Sequence, residues 1–88
     1  MKRYKVIVSA QADKQLSKLD RYTARLILAW IRKNLDGSTN PRARGKGLSA
    51  NRAGEWRYRV GDWRIIANIN DTEVIILVLA VGHRREVY

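Results

Sequence analysis

The sequence predicts an α+β domain in which two helices pack on a largely antiparallel sheet, with the element order β-α-α-β-β-β. Two apolar patterns of helical period occupy the first half of the chain. The second half holds alternating and β-branched runs separated by turn residues. The chain has 88 residues, which is enough for one small core, so we expect a single domain over residues 1–88.

The N-terminal part predicts a strand followed by a short helix. Residues 4–8 are rich in β-branched side chains, which favours a strand. Ser9 is a suitable N-cap for a helix over residues 10–19, in which Ala12, Leu16 and Leu19 share one apolar face.

A second helix is predicted between Asp20, a suitable N-cap, and Gly37, the residue type usual after a helix C-terminus. Its polar and apolar residues separate by helical spacing, and the apolar ones are expected to face the core. These are Leu26, Ile27, Trp30, Ile31 and Leu35.

Residues 38–54 are rich in Gly, Ser, Asn and Arg and contain the only proline, so we expect a loop. Glycines between its cations would let the backbone approach a phosphate closely, although the spacing of a P-loop is absent. The segment is therefore either a nucleic-acid contact or a mobile connector. Its candidate RNA-binding cations are Arg42, Arg44, Lys46 and Arg52.

A β-hairpin follows, because apolar and cationic residues alternate over residues 56–60 and a Gly-Asp pair at 61–62 supplies a two-residue turn. This register places Arg59 directly opposite Arg64, and Arg57 shares their face. Like charges opposite one another destabilise a strand pair. The three arginines therefore indicate an anion-binding face, with a solvated basic face as the alternative.

The C-terminal part predicts a buried strand and a charged tail. After a turn at residues 70–72, residues 74–81 are continuously apolar, which is typical of a strand in the middle of a sheet. A buried helix is the alternative, but the many Val and Ile residues favour a strand. Residues 82–88 are expected to leave the sheet at one end.

The charge balance indicates a polyanionic partner. Lys and Arg total 18 against 8 Asp and Glu, which gives a net charge of +10 and a sequence pI near 10.7. Nucleic acid is the first candidate. Arginine supplies 12 of the cations, and its planar fork suits bidentate phosphate contacts. No helix has the strongly basic and aromatic faces of an interfacial helix, so we expect no membrane partner.

Several classes of protein are disfavoured by what the sequence lacks. There is no cysteine and a single histidine, and the carboxylates do not cluster, so we expect neither a metal site nor a cofactor, and a two-metal nuclease is disfavoured. No stretch has the apolar length of a signal peptide or a membrane span, so we expect a cytoplasmic protein.

A nuclease without metal can use the 2′-hydroxyl of RNA as its nucleophile, which requires a base, cations on the phosphate and an acid for the departing oxygen. For proton transfer the candidates are His83 and Tyr88. His83 could equally be a surface residue, and Tyr88 could stack on a base or pack on the sheet. Four arginines can stabilise the charge: Arg57, Arg59, Arg64 and Arg84.

Three motifs together resemble the toxins of the RelE/ParE superfamily. They are N-P-R-x-R-G-K-x-L at residues 40–48, W-R-Y-R-V-G-D-W-R at residues 56–64, and G-H-R-R-E-V-Y at residues 82–88. The resemblance covers nearly the whole chain. It implies a RelE-like, microbial RNase-like fold and a toxin of a type II toxin-antitoxin pair. In the RelE branch such a toxin enters the ribosomal A site and cleaves mRNA there by 2′-hydroxyl attack without metal.

The resemblance also implies roles for individual residues. Arg57 and Arg59 occupy the two basic positions before the hairpin turn, and Arg64 matches the arginine that steadies the phosphate. Arg84 matches an arginine on the leaving-group side, and Tyr88 matches the tail tyrosine that positions the nucleotide.

The first two of these positions are often lysine in the best-known RelE branch, where one lysine is proposed as the general base. Arginine is harder to deprotonate, so the base here stays open among Arg57, His83 and Tyr88.

The resemblance implies three partners: a RelB-like antitoxin that wraps the toxin, the ribosome with its rRNA and mRNA, and operator DNA that is reached only through the antitoxin complex. Two alternatives stay open. One is a ParE-like toxin that poisons DNA gyrase without catalysis. The other is an inactive relic that binds its antitoxin and co-represses its operon.

Overall fold

The structure is a computed structural model, and it describes residues 2–48 and 54–83. The predicted order of helices and strands is confirmed, with one additional short strand before the hairpin. The strands are β1 (Lys5–Val8), β2 (Lys46–Gly47), β3 (Glu55–Val60), β4 (Trp63–Asn70) and β5 (Ile75–His83), and the helices are α1 (Ala10–Ser17) and α2 (Arg21–Asn34).

The five strands form one sheet in the order β1-β5-β4-β3-β2. All neighbouring pairs are antiparallel except β1 and β5, which are parallel. The apolar strand β5 lies between β1 and β4, which confirms the interior position predicted from its composition. It runs to His83, two residues further than predicted, and starts at Ile75 because Val74 has a positive φ of 58° in the preceding turn.

Both predicted helix N-caps are present. The Ser9 hydroxyl accepts a hydrogen bond from the Ala12 N–H at 3.1 Å, and the Asp20 carboxylate accepts one from the Thr23 N–H at 3.0 Å. These bonds satisfy amide groups that have no partner within the first turn of a helix. The Thr23 bonds also hold the pKa of the Asp20 carboxyl below its usual value.

The helices differ from the sequence expectation at two places. Helix α1 ends at Ser17, so Leu19 lies in the connection to α2 rather than in the helix. On α2, Leu26 is 45% exposed, although its spacing placed it with the core residues. The helix packs instead through Ile27 and Ile31, which are buried on the sheet.

The register between β4 and β5 shifts at Ile66 and Ala67, which leaves Leu79 as an extra residue in β5. Such a bulge interrupts the ladder of backbone hydrogen bonds. Two side chains, one at the N-cap of α1 and one within the helix, form hydrogen bonds with backbone groups of β5 beside the bulge. The Ser9 hydroxyl donates to the Leu79 carbonyl at 3.2 Å, and the Val81 N–H donates to Oε1 of Gln15 at 2.7 Å.

Replacing Gln15 with leucine should therefore lower the free energy of unfolding by about 1–3 kcal/mol, the cost of a buried N–H that loses its acceptor. Urea denaturation measures the change. Gln11→Leu, the same substitution at an exposed position of α1, is the matched control. Equal unfolding midpoints for the two variants would contradict this role of Gln15.

Candidate nucleic-acid interface

The hairpin of β3 and β4 has the predicted register. Arg59 pairs with Arg64, Val60 pairs with Trp63, and Gly61 in the turn has a φ of 61°. A glycine at the first of two turn residues suits the type II′ hairpin turn. Since Tyr58, Val60 and Ile65 are buried against the helices, the intervening arginines point to the opposite face of the sheet.

The segment before the hairpin is not the plain loop predicted for residues 38–54. Within its described part, Pro41–Ala43 forms a 3₁₀ turn and β2 pairs with β3. Two buried or half-buried aromatic side chains of β3 fasten it to the sheet. The Tyr58 hydroxyl donates to the Pro41 carbonyl at 2.7 Å, and Nε1 of Trp56 donates to the Arg44 carbonyl at 2.6 Å. Residues 38–48, called the basic segment below, are therefore anchored rather than a free connector.

Gly45 lets this segment approach β3 at very short range. Its φ is 78°, and a Cβ at this position would collide with the carbonyl oxygen of Arg57 and lie 2.9 Å from Nε1 of Trp56. Only glycine fits such a conformation and such a contact without displacing the backbone. The residue therefore fixes the distance between the basic segment and the arginines of β3.

A cleft of about 440 Å³ lies where α2, the basic segment and β3 meet. Four of its six lining residues are cations, and one is an aromatic residue of α2. The lining residues are Trp30, Arg44, Gly45, Lys46, Arg57 and Arg59. The fold thus brings together two cations from the predicted RNA-binding set and two from the predicted catalytic set. The sequence did not indicate the part of Trp30, since it lies in the apolar stripe of α2.

A smaller cavity of about 200 Å³ lies at the hairpin turn and is lined by Arg59, Gly61, Asp62 and Arg64. Arg59 lines both cavities, so the two are neighbours along β3. Cations that converge in this way can hold an anionic group such as a phosphate. The three arginines of the hairpin thus line two neighbouring cavities that share Arg59.

Arg42, the first cation of the predicted RNA-binding set, takes part in a different arrangement. Its guanidinium donates two hydrogen bonds to the Asp71 carboxylate, at 2.9 and 3.0 Å, and the Tyr4 hydroxyl donates to the same carboxylate at 2.6 Å. Arg42 holds the pKa of Asp71 below its usual value, with a further contribution from Tyr4. The hydrogen bonds of Arg42 and Tyr4 to Asp71 link the basic segment and the residue before β1 to the β4–β5 turn. A role of Arg42 in RNA binding stays a prediction.

His83 does not join the three arginines. It pairs with Trp63 across β4 and β5, and the two rings meet edge to face with centroids 5.5 Å apart. Trp63 packs against the core, so His83 lies on the helix side of the sheet, away from Arg64. Arg52, Arg84 and Tyr88 lie outside the described residues, and their roles stay predictions.

Burial of Tyr58 makes the anchoring of the basic segment sensitive to high pH. Loss of hydration raises the pKa of its buried phenol to about 12. An unfolded tyrosine ionises near pH 10, so the folded state keeps its proton over a range in which the unfolded chain releases one.

Stability should therefore fall as pH rises from about 10 to about 12, by up to about 1.4 kcal/mol per pH unit for this one group. Tyr58→Phe should remove that component of the slope and cost about 1 kcal/mol at pH 7 through the lost hydrogen bond. Urea denaturation at several pH values measures both effects, with Tyr22→Phe at an exposed position as the control. A wild-type slope in Tyr58→Phe would refute the assignment.

Residues 2–48 and 54–83 contain neither a metal-binding cluster nor a membrane-spanning helix. No group of three or more His, Cys, Asp or Glu side chains there could hold a metal ion. No helix in this part of the chain is long and apolar enough to cross a membrane.

Comparison with solved structures identifies the fold. The chain is 28% identical to a chain of the RelBE2 toxin-antitoxin complex from Mycobacterium tuberculosis, with a TM-score of 0.84 over 93% of this chain and 99% of the other. It is 27% identical to a chain of the archaeal RelE-RelB complex from Pyrococcus horikoshii, with a TM-score of 0.71 over 98% and 99%. A mutant of the toxin RelE from E. coli in the free state is 17% identical, with a TM-score of 0.73 over 97% and 87%.

Comparison with curated protein sequences found no significant match. Residues 6–88 match the family model described as the ParE toxin of the type II toxin-antitoxin system parDE. This match spans nearly the whole chain, and the RelE-type structures share its fold. The chain therefore belongs to the ParE toxin family of type II toxin-antitoxin systems, within the RelE/ParE superfamily.

Proposed function

We propose that this toxin is a ribosome-dependent endoribonuclease that cleaves mRNA in the ribosomal A site and so inhibits translation. The observation that carries the proposal is the arginine face of the hairpin. Arg59 and Arg64 lie directly opposite each other, and Arg57 lies two residues along the same strand face. Opposed cations of this kind are favourable when an anion lies between them, and the phosphate of an RNA backbone is such an anion.

The reaction that suits this face is transesterification within the RNA. The 2′-hydroxyl attacks the adjacent phosphorus, its proton passes to a base, and the bond to the 5′-oxygen breaks. The products are a 2′,3′-cyclic phosphate and a 5′-hydroxyl that takes up a proton. The arginines stabilise the negative charge that builds up on the phosphate oxygens during the attack.

The two proton transfers need groups other than these three arginines, because a guanidinium stays protonated near pH 7. His83 lies on the other side of the sheet, so the proposal assigns the proton transfers to groups of the tail and of the ribosome. In this proposal Arg84 assists the leaving oxygen and Tyr88 positions the nucleotide. In this proposal the ribosome supplies a proton carrier, which would make cleavage depend on the ribosome.

A RelB-like antitoxin is proposed as the partner that silences the toxin. Two structures that are more than 25% identical to this chain are complexes of toxins with antitoxins. A net charge of +10 favours an acidic partner that covers the basic cleft. The toxin would act in the cytoplasm, where ribosomes and mRNA are found, and would contact operator DNA only within the antitoxin complex.

The match to the ParE family model favours a second candidate, a toxin that binds DNA gyrase and carries out no chemistry. A gyrase binder has no evident need for arginines that converge from both strands of the hairpin. The two candidates differ in what is damaged after induction. The endoribonuclease would cut mRNA, whereas the gyrase binder would disturb the supercoiling of DNA.

Inducing the chain without its antitoxin decides between them. The endoribonuclease predicts growth arrest, new transcript ends inside translated reading frames, and loss of those ends when initiation of translation is blocked. Plasmid supercoiling should stay normal. Intact transcripts together with a failure of supercoiling would support the gyrase binder and overturn our proposal.

A further inference from the structure

Trp30 is placed to do more than fill the core. Its half-buried indole packs at a tilt of 54° against the ring of Tyr58, with the centroids 5.7 Å apart. The same residue lines the cleft of about 440 Å³ beside the arginine face. The indole is thus supported by the core on one side and forms part of the cleft wall on the other.

The cations that line the cleft with Trp30 come from two elements. Arg44 and Lys46 come from the basic segment, and Arg57 and Arg59 come from β3. An aromatic surface within a cationic groove is the combination by which proteins bind single-stranded nucleic acid, because the base stacks on the ring while the cations hold the backbone.

The position of the cleft relates it to the site of cleavage. Arg59 lines both the cleft and the cavity of about 200 Å³ that contains Arg64. Residues two apart along a strand are about 6.8 Å apart, which is close to the separation of neighbouring phosphates in a nucleic-acid strand. Arg57 and Arg59 can therefore contact successive phosphates.

We propose that the cleft is a subsite for the nucleotide next to the scissile phosphate, with its base stacked against Trp30. Its volume is within the range of roughly 300–1,000 Å³ found for small-molecule pockets, whereas the smaller cavity of about 200 Å³ lies below that range. This inference rests on the proposed RNA substrate. It assigns to Trp30 the contact that makes the toxin sensitive to the base at that position.

The test compares two short RNAs of equal length and charge, one with adenine bases and one with every base removed. Their affinities for the full chain are measured by fluorescence anisotropy at one fixed salt concentration, because backbone binding depends strongly on salt. The wild-type chain should bind the RNA with bases roughly tenfold more tightly, the effect expected for one stacked base. Trp30→Leu should lose that preference while keeping its affinity for the abasic RNA.

Two further variants separate stacking from folding. Trp30→Phe keeps an aromatic ring against Tyr58 and should retain most of the preference. Trp63→Leu removes another half-buried indole that does not line the cleft, and should leave the preference unchanged. A wild-type preference that survives in Trp30→Leu, or a wild-type chain with no preference, would overturn the inference.

Different results would show that the subsite is wrong and that the proposed function is wrong. If transcripts are cut in cells but Trp30→Leu changes neither base preference nor the sequences at the cut sites, the subsite is wrong and the endoribonuclease stands. If no transcripts are cut but the base preference depends on Trp30, the endoribonuclease is wrong and the cleft is still a site that binds RNA bases.

Discussion

Arg64→Ala should lower the rate of mRNA cleavage on the ribosome by roughly 10²–10³-fold, the usual effect of removing one preorganised donor to a transition-state oxyanion. Arg64 lies opposite Arg59 and lines the cavity at the hairpin turn, so its loss removes one of the two opposed cations proposed to hold the scissile phosphate. Arg64→Lys keeps the charge but loses the planar fork, and should recover only part of the rate. Single-turnover cleavage of a defined mRNA on programmed ribosomes measures all three proteins.

The matched control is Arg25→Ala, which removes the same charge from an exposed position on α2. It should change the rate little, because its cation lies outside both cavities. Circular dichroism of each variant verifies that the fold is intact. Equal losses of rate in the Arg25 and Arg64 variants would mean that only overall charge matters, which contradicts a specific role of Arg64 in holding the phosphate.

Gly45→Ala should damage both stability and RNA binding. The positive φ of 78° alone costs about 1–2 kcal/mol for a residue with a Cβ. The collision with the Arg57 carbonyl adds to this cost and forces the basic segment away from β3. The cleft should then lose the cations of that segment, and affinity for single-stranded RNA should fall together with the free energy of unfolding.

Gly37→Ala separates the two causes. Gly37 has a φ of 80°, close to that of Gly45, but a Cβ there would meet nothing within 4 Å. This variant should therefore show the backbone cost without a loss of RNA affinity. Urea denaturation and fluorescence anisotropy make the comparison, and indistinguishable results for the two variants would show that the close approach at Gly45 has no effect on the cleft.

Much of the fold could be predicted from local signals. The caps at Ser9 and Asp20 depend on a side chain and an amide three residues away, and both are present. The hairpin register follows from a two-residue turn, so the pairing of Arg59 with Arg64 could be predicted from the turn residues alone. The arginine face of the candidate site could therefore be predicted from the sequence.

The cleft could not be predicted, because long-range contacts build it. Strand β2 is only two residues long and has no β-branched residue. It forms because β3 lies beside it and because Trp56 and Tyr58 bind carbonyl groups of the basic segment, 12 and 17 residues away in sequence. Glycines that are typical of a loop instead permit close packing at this point.

For the last strand, the sequence also could not predict on which face of the sheet each candidate residue lies. The apolar pattern ends at residue 81, which assigned Gly82 and His83 to the tail. The bulge at Leu79 shifts the alternation of side chains along β5, which places His83 against Trp63 rather than beside the arginines. A continuously apolar sequence contains no pattern that would indicate such an extra residue.

In the proposed reaction, this toxin cleaves mRNA on the ribosome by using the 2′-hydroxyl of the RNA itself. The most direct test uses purified ribosomes with two mRNAs that differ by one 2′-deoxynucleotide on the 5′ side of the scissile phosphate in the A-site codon. We expect the all-ribose message to be cut to a 2′,3′-cyclic phosphate and a 5′-hydroxyl, and the deoxy-substituted message to stay intact at that position. Equal cleavage of both messages, or of neither, would contradict the claim.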